Sequence, residues 1–192
     1  MPRAGLSTAS VVDAALAIVD ESGPGALTLA AVAARCGVAT PSLYKHVASL
    51  GELTRLVRLR VGRELGEVFA TATANHNQGA EDAVRSLARA YRGFARAHPH
   101  RFVFYQTPPD PSDAEATAVA NAAVSVVVGA LAPLGLSGDL AIHAARCVRA
   151  SVQGFATLEA SGGFGLPLDL DVTFEHLLTI LLTGLTALPS RT

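Results

Sequence analysis

The sequence predicts an all-α protein of about nine helices. Three observations predict it. No segment alternates apolar and polar residues with the period of a strand, apolar residues recur instead at i, i+3, i+4 and i+7, and glycine, proline and capping residues punctuate the pattern. Of 192 residues, 50% are hydrophobic and 16% charged, which excludes a disordered chain and is enough to bury a core. The two cysteines, Cys36 and Cys147, form no CxxC pair, so a disulfide scaffold is not expected and a reducing cytoplasm fits. Asp13 and Asp20 interrupt the first apolar stretch, unlike a signal peptide, and Pro133 is expected to cut Val119–Leu136 short of a membrane span. The expectation is a soluble cytoplasmic protein with no membrane partner.

The first helix is predicted from about Ser7, a good N-cap, to Glu21, with Val12, Ala15, Leu16 and Val19 on one face. Ser22-Gly23-Pro24-Gly25 stops it. A second helix opens at Thr28, carries Leu29, Val32, Ala33 and Cys36, and ends at Gly37, a residue suited to the left-handed C-terminal position. Thr40-Pro41 starts a short third helix to about Val47. Ser49 and Glu52 have the spacing of a capping box and begin a fourth helix that lasts to about Ala74. After Asn75-His76-Asn77-Gln78-Gly79 a fifth carries Val84, Leu87, Ala88, Tyr91 and Phe94. A short helix near Arg101–Gln106 ends in Pro108-Pro109-Asp110-Pro111. Apolar helices follow from about Asp113 to Leu134, Ser137 to Ser161, where Gly162-Gly163 intervenes, and Asp171 to Leu188.

The stretch from Thr28 to Glu52 has the form of a helix-turn-helix, two short helices about a glycine turn. Leu29, Val32, Cys36, Val38 and Leu43 can fix the angle between them. Thr40, Pro41 and Ser42 then occupy the start of the second helix, where a hydroxyl can bond a base edge and a proline can touch a thymine methyl. Tyr44, Lys45 and His46 each carry a donor able to reach a phosphate oxygen, and the capped start of the next helix offers backbone N–H groups to another. The plainer alternatives are a core aromatic for Tyr44 and a solubilising role for Lys45, the sole lysine, but their place together on the recognition helix favours contact with DNA. With Thr28 these are the candidate DNA-binding residues.

Leu27-Thr28-Leu29-Ala30-Ala31-Val32-Ala33 followed by Gly37-Val38-Ala39-Thr40-Pro41-Ser42-Leu43-Tyr44-Lys45-His46-Val47 resembles the DNA-binding domain of the TetR family over about residues 7–60. Gln153-Gly154-Phe155-Ala156-Thr157-Leu158-Glu159-Ala160-Ser161-Gly162-Gly163-Phe164 resembles a segment of one TetR subgroup, with Gln153 where a histidine is usual. The resemblance implies a homodimeric repressor that binds a near-palindromic operator of double-stranded DNA and is released by a small molecule. It assigns Thr40, Pro41 and Ser42 to bases and Tyr44 and His46 to phosphates. The lysine usual near the start of the fourth helix is Leu50 here, with Lys45 or Arg55 as possible substitutes. It also implies a division into a helix-turn-helix domain, residues 1–50, and an effector-binding and dimerisation domain, residues 51–192.

The net charge of −1 hides a tilt: residues 1–60 hold six basic and four acidic side chains. Such a tilt permits a polyanion partner. Arg55, Arg58, Arg60 and Arg63 read as a solvated face, with Arg60–Glu64 and Arg63–Glu67 at pairing distance along a helix. Phe174, Leu177, Leu178, Leu181, Leu182 and Leu185 form one long stripe, and Ala141, Ala145, Val148, Val152 and Phe155 another. Such stripes are ordinarily monomer core. The resemblance makes Val148, Val152, Phe155, Leu177, Leu178, Leu181, Leu182 and Leu185 candidates for a four-helix dimer interface.

Tyr91, Phe94, Phe102, Tyr105, His143, Arg146 and Gln153 are the candidate ligand residues, polar-tipped or aromatic groups suited to a hydrophobic effector. No cofactor is expected. His143 and Cys147 lie four apart, but no second ligand pair accompanies them, so no metal site is expected. An all-α enzyme is the alternative, although the chain has no GxSxG, Walker loop or HExxH. An effector-free architectural DNA-binding protein is the third reading, and the near-neutral charge weighs against it.

Overall fold

The computed structural model describes residues 6–74 and 79–188. Among them are eight α-helices, three 3-10 segments and no strand: α1 (Thr8–Ser22), α2 (Leu29–Cys36), the 3-10 segment Thr40–Lys45, α3 (Leu50–Thr73), α4 (Ala80–Ala97), α5 (Pro99–Gln106), α6 (Ala114–Leu131), α7 (Gly138–Ala160) and α8 (Leu170–Thr186), with short 3-10 turns at Pro24–Ala26 and Ala132–Leu134. With Thr40–Lys45 counted, the nine predicted helical elements are present. The expected connection Asn75–Gln78 lies outside the described residues.

The contacts separate into two compact units, one of the chain up to Arg63 with His98–Thr117, the other of Glu64–Ala97 with the chain from Ala118. This division falls elsewhere than residue 50. The reason is α5, which packs on α1 and on the Pro24–Ala26 turn, and so joins the N-terminal helices.

In the first unit, Ser7 caps α1 reciprocally with Ser10: its hydroxyl accepts from the Ser10 N–H at 3.1 Å and the Ser10 hydroxyl accepts from the Ser7 N–H at 2.9 Å. Val11, Ala15 and Val19 of α1, Val32 of α2 and Leu43 are fully buried, and α2 packs on α1 and on the Thr40–Lys45 segment. Arg101 of α5 donates to both oxygens of Asp20 at 2.7 and 2.6 Å, and this holds the Asp20 carboxyl below its ordinary pKa. Arg35 joins α2 to α1 through Glu21 in the same two-pronged way.

In the second unit, α4 packs on α7 and α8, and α7 on α8. The buried residues of these helices are Val84, Leu87, Tyr91 and Phe94 of α4, Val148, Val152 and Phe155 of α7, and Phe174, Leu178, Leu182 and Leu185 of α8. Six of the candidate dimer residues, Val148, Val152, Phe155, Leu178, Leu182 and Leu185, are therefore at most 8% exposed and give a partner almost nothing to cover. Leu177 and Leu181 are half-buried. The helical period identified a buried face but could not say what buries it.

Only Ala123, Ala130 and Leu131 of α6 are buried. Pro133 does not break the segment, since it enters the 3-10 turn that continues the helix. Residues 114–134 are thus long and apolar enough to cross a bilayer, by length and composition alone.

Candidate nucleic-acid interface

The helix-turn-helix is set by three local devices. The Thr28 hydroxyl accepts from the Ala31 N–H at 3.1 Å and opens α2. Gly37 closes it at φ +69°, where L side chains are strained, and the Gly37 and Val38 N–H groups donate to Ala34 and Ala33 carbonyls at 3.1 and 3.0 Å. At the start of α3, the Ser49 hydroxyl accepts from the Glu52 N–H at 3.1 Å, and the Glu52 carboxylate turns back to accept from the Ala48 N–H.

Between the last two devices the chain forms a 3-10 segment, Thr40–Lys45, rather than the α-helix expected from Pro41 to Val47. Pro41 supplies no N–H, and only a few residues separate it from the next cap, so the tighter turn closes first. Leu43 is fully buried and Val47 1% exposed, which pins the inner face. On the outer face Pro41, Tyr44 and Lys45 are exposed, while Thr40, Ser42 and His46 are half-buried. Tyr44 is 56% exposed, which removes it from the core. The Thr8 hydroxyl donates to the His46 carbonyl at 3.3 Å and ties the segment's end to α1.

The arginines of α3 lie on a solvated face, as expected, with Arg58 and Arg60 exposed and Arg55 and Arg63 38% and 51% exposed, but three of them also reach carboxylates distant in sequence. Arg55 grips Asp113 and Glu115, Arg60 reaches Asp13 at 3.4 Å, and Arg63 reaches Glu115 at 2.7 Å. Arg55 is thereby committed and does not substitute for the lysine that Leu50 replaces. Hydrogen bonds from Arg55 hold the Asp113 carboxyl down at about 2, with the Ala116 N–H as the next cause. No ion pair among the described residues engages Lys45. The Asp113 and Glu115 partners of Arg55 and Arg63 lie 52–60 positions away, where helical spacing gives no signal.

The candidate ligand residues fall in both units. Phe102, 3% exposed, and Tyr105 stand on α5 in the first. In the second, Tyr91 and Phe94 are buried, and His143 and Arg146 are exposed on α7. The Tyr91 hydroxyl donates to Gln153 Oε1 at 3.2 Å, as does Arg149 Nε at 3.2 Å, and the Phe69 ring stacks on Tyr91 at 5.9 Å. Arg146, Arg149, Gln153, Thr157 and Leu158 line an open groove of about 590 Å³ along α7. Among the described residues no three of His, Cys, Asp and Glu are grouped as metal ligands, and Cys147 is exposed.

The chain from Gln153 to Phe164 has a packing explanation that its spacing did not disclose. Glu159 receives Arg92 of α4, the Phe155 ring packs at a tilt against Phe164 and Phe174 with centroids 4.9 and 5.0 Å apart, and the Gly163 N–H donates to the Leu158 carbonyl at 2.7 Å.

Residues 11–51 match the family described as bacterial regulatory proteins, tetR family, and residues 84–181 match the tetracyclin repressor-like C-terminal domain. The chain is 36% identical to the HTH-type transcriptional regulator Rv0681 of Mycobacterium tuberculosis, over 94% of this chain and 82% of that protein. It is 30% identical to the HTH-type regulator YobS of Bacillus subtilis, over 96% of this chain and 95% of that one. Its fold is shared by the crystal structure of ActR of Streptomyces coelicolor in complex with (S)-DNPA, with a TM-score of 0.71 at 23% identity, covering 96% and 99% of the two chains.

Proposed function

The chain belongs to the tetR family of DNA-binding transcriptional regulators, and from that premise we propose that it is a repressor that binds a near-palindromic operator as a homodimer and is released by a small hydrophobic effector. The observation that carries this is the two-sided 3-10 segment, Leu43 buried beneath and Pro41, Tyr44 and Lys45 exposed above. In this reading Thr40, Pro41 and Ser42 meet base edges, Tyr44, Lys45 and His46 meet phosphates, and Thr28 sits at the α2 start beside the backbone. The family is non-enzymatic, so the enzyme alternative is set aside.

For the dimer, the exposed rather than the buried faces of α7 and α8 supply the contact. Ile142 and Leu158 on α7 and Val172 and Ile180 on α8 are 37–69% exposed and offer a partner aliphatic surface that the buried stripes do not. Two recognition segments then meet the major groove one DNA turn apart, roughly 34–36 Å. For the effector, the Tyr91–Gln153 pair and the groove beside it support a site in the second unit, and the ActR complex is a precedent within the fold. A regulator acting on chromosomal DNA works in the cytoplasm.

Selection from a random DNA pool followed by footprinting tests this reading. The expected product is an inverted repeat protected at two half-sites one helical turn apart. A selected site with one protected half, or no enrichment, overturns it.

A further inference from the structure

Two helices continue without a break from one compact unit into the other: α3 crosses after Arg63, and α6 after Thr117. Just before both crossings they are tied together by four charged side chains. Arg55 donates through Nε to Asp113 and through Nη2 to Asp113 Oδ1 and Glu115 Oε2, both at 2.8 Å. Arg63 Nη2 donates to Glu115 Oε1 at 2.7 Å. Asp113 Oδ1 also accepts from the Ala116 N–H at 3.0 Å, so the carboxylate that caps α6 is the one Arg55 grips. Arg63 is the last residue of α3 before its crossing, and Glu115 stands two positions before that of α6.

The geometry suits transmission better than stability. Arg55, Arg63 and Glu115 are 38–51% exposed, and pairs so exposed add little to global stability. What the guanidinium forks supply is fixed orientation. Little else of α6 is buried, with three residues of its eighteen in the core.

We propose that Arg55, Arg63, Asp113 and Glu115 form a coupling clamp that makes α3 and α6 one transmitting element at the unit boundary. A displacement of α6 is then delivered to α3 and, through the Ser49 cap, to Thr40–Lys45. The effect on DNA rests on the repressor reading; the mechanical coupling does not.

The test uses the full chain carrying Asp113→Asn with Glu115→Gln. Asparagine caps a helix as well as aspartate does, so the α6 cap is kept while the grip on the arginines is lost. Hydrogen exchange is expected to quicken at least tenfold in α3 amides 55–63, with first-turn α6 amides and the urea midpoint little changed. Unchanged protection over 55–63, or a loss confined to α6, overturns the clamp. On a DNA fragment selected by the wild-type protein, the variant is expected to bind several-fold more weakly, and equal affinity overturns the coupling to DNA. A wild type that selects no DNA overturns the repressor reading instead, and the exchange result still decides the clamp.

Discussion

The Arg92 guanidinium lies over the rings of Phe155 and Phe174, 5.1 and 4.7 Å from their centroids, and donates to both carboxylate oxygens of Glu159 at 2.8 and 2.6 Å. A third carboxylate oxygen, of Asp171, stands 2.8 Å away. Arg92 is 7% exposed, the one buried charged side chain among the described residues, and it joins α4 to α7 and α8. Cation–π attraction and a two-pronged ion pair act there on the same planar group.

Removing one member of this set strands the other. Arg92→Ala leaves Glu159, whose side chain is 14% exposed, without its fork, and is expected to cost about 3 kcal/mol by the rule for broken buried pairs. Arg92→Lys keeps the charge but not the fork and should fall between. Urea denaturation followed by circular dichroism measures both. A midpoint unchanged in Arg92→Ala would remove the fork from the account of the second unit.

Gly37 isolates a backbone cost. Its φ of +69° disfavours any L side chain, and a Cβ there would meet nothing within 4 Å. Gly37→Ala is therefore expected to destabilise the chain by roughly 1–2 kcal/mol through conformation alone. Gly163→Ala differs in mechanism, since its Cβ would lie 3.2 Å from the Leu158 carbonyl oxygen and 2.9 Å from Leu158 Cδ2. Thermal unfolding of the two variants separates strain from collision if Leu158→Ala relieves only the second.

The recognition segment predicts a separation of roles on DNA. Lys45→Ala should weaken binding across sequences and flatten the dependence of log K on log salt by about 0.9, the share of one phosphate. Thr40→Val and Ser42→Ala should instead change the preferred bases and leave the salt slope alone. Binding isotherms at several salt concentrations show which of the two effects each residue has. A Lys45→Ala slope equal to wild type would take Lys45 off the phosphate backbone.

The clamp has a defined response to acid. Asp113 titrates at about 2 when folded, below the ordinary 3.8, because its ionised form is held by Arg55 and by the Ala116 N–H. A depressed pKa contributes stability above the ordinary value that is lost as pH falls through the folded one. The contribution should therefore be complete above about pH 4 and disappear toward pH 2. Carboxyl carbon chemical shifts across that range are expected to give an Asp113 midpoint near 2, and a midpoint near the ordinary aspartate value would mean Arg55 is not its partner.

Most boundaries were legible in the sequence because caps act over three or four residues: Ser7, Thr28, Gly37 and Ser49 each stand where their spacing places them. The 3-10 form of Thr40–Lys45 was not legible, since the same residues suit either turn and the closeness of two caps decides. Leu178 and Val152 show a different limit. A stripe marks a buried face, and only the packed helices reveal that the burial is within the chain. Arg55 and Asp113 show a third, for charge pairs between distant helices carry no local signature. Glu159 belongs to a segment that resembles one subgroup of the family, and its physical reason appears only where Arg92 meets it.

Sequence-specific DNA recognition by the Thr40–Lys45 segment is the central claim, and competition binding tests it most directly. The purified chain would be titrated onto the fragment upstream of its own gene, and onto a site selected from random DNA, against excess random competitor at two salt concentrations. The prediction is a complex that survives competitor at both salts and is lost in a Tyr44→Ala, Lys45→Ala double variant that unfolds like wild type. A complex that random DNA displaces as readily as the selected site, or one indifferent to both substitutions, would contradict it.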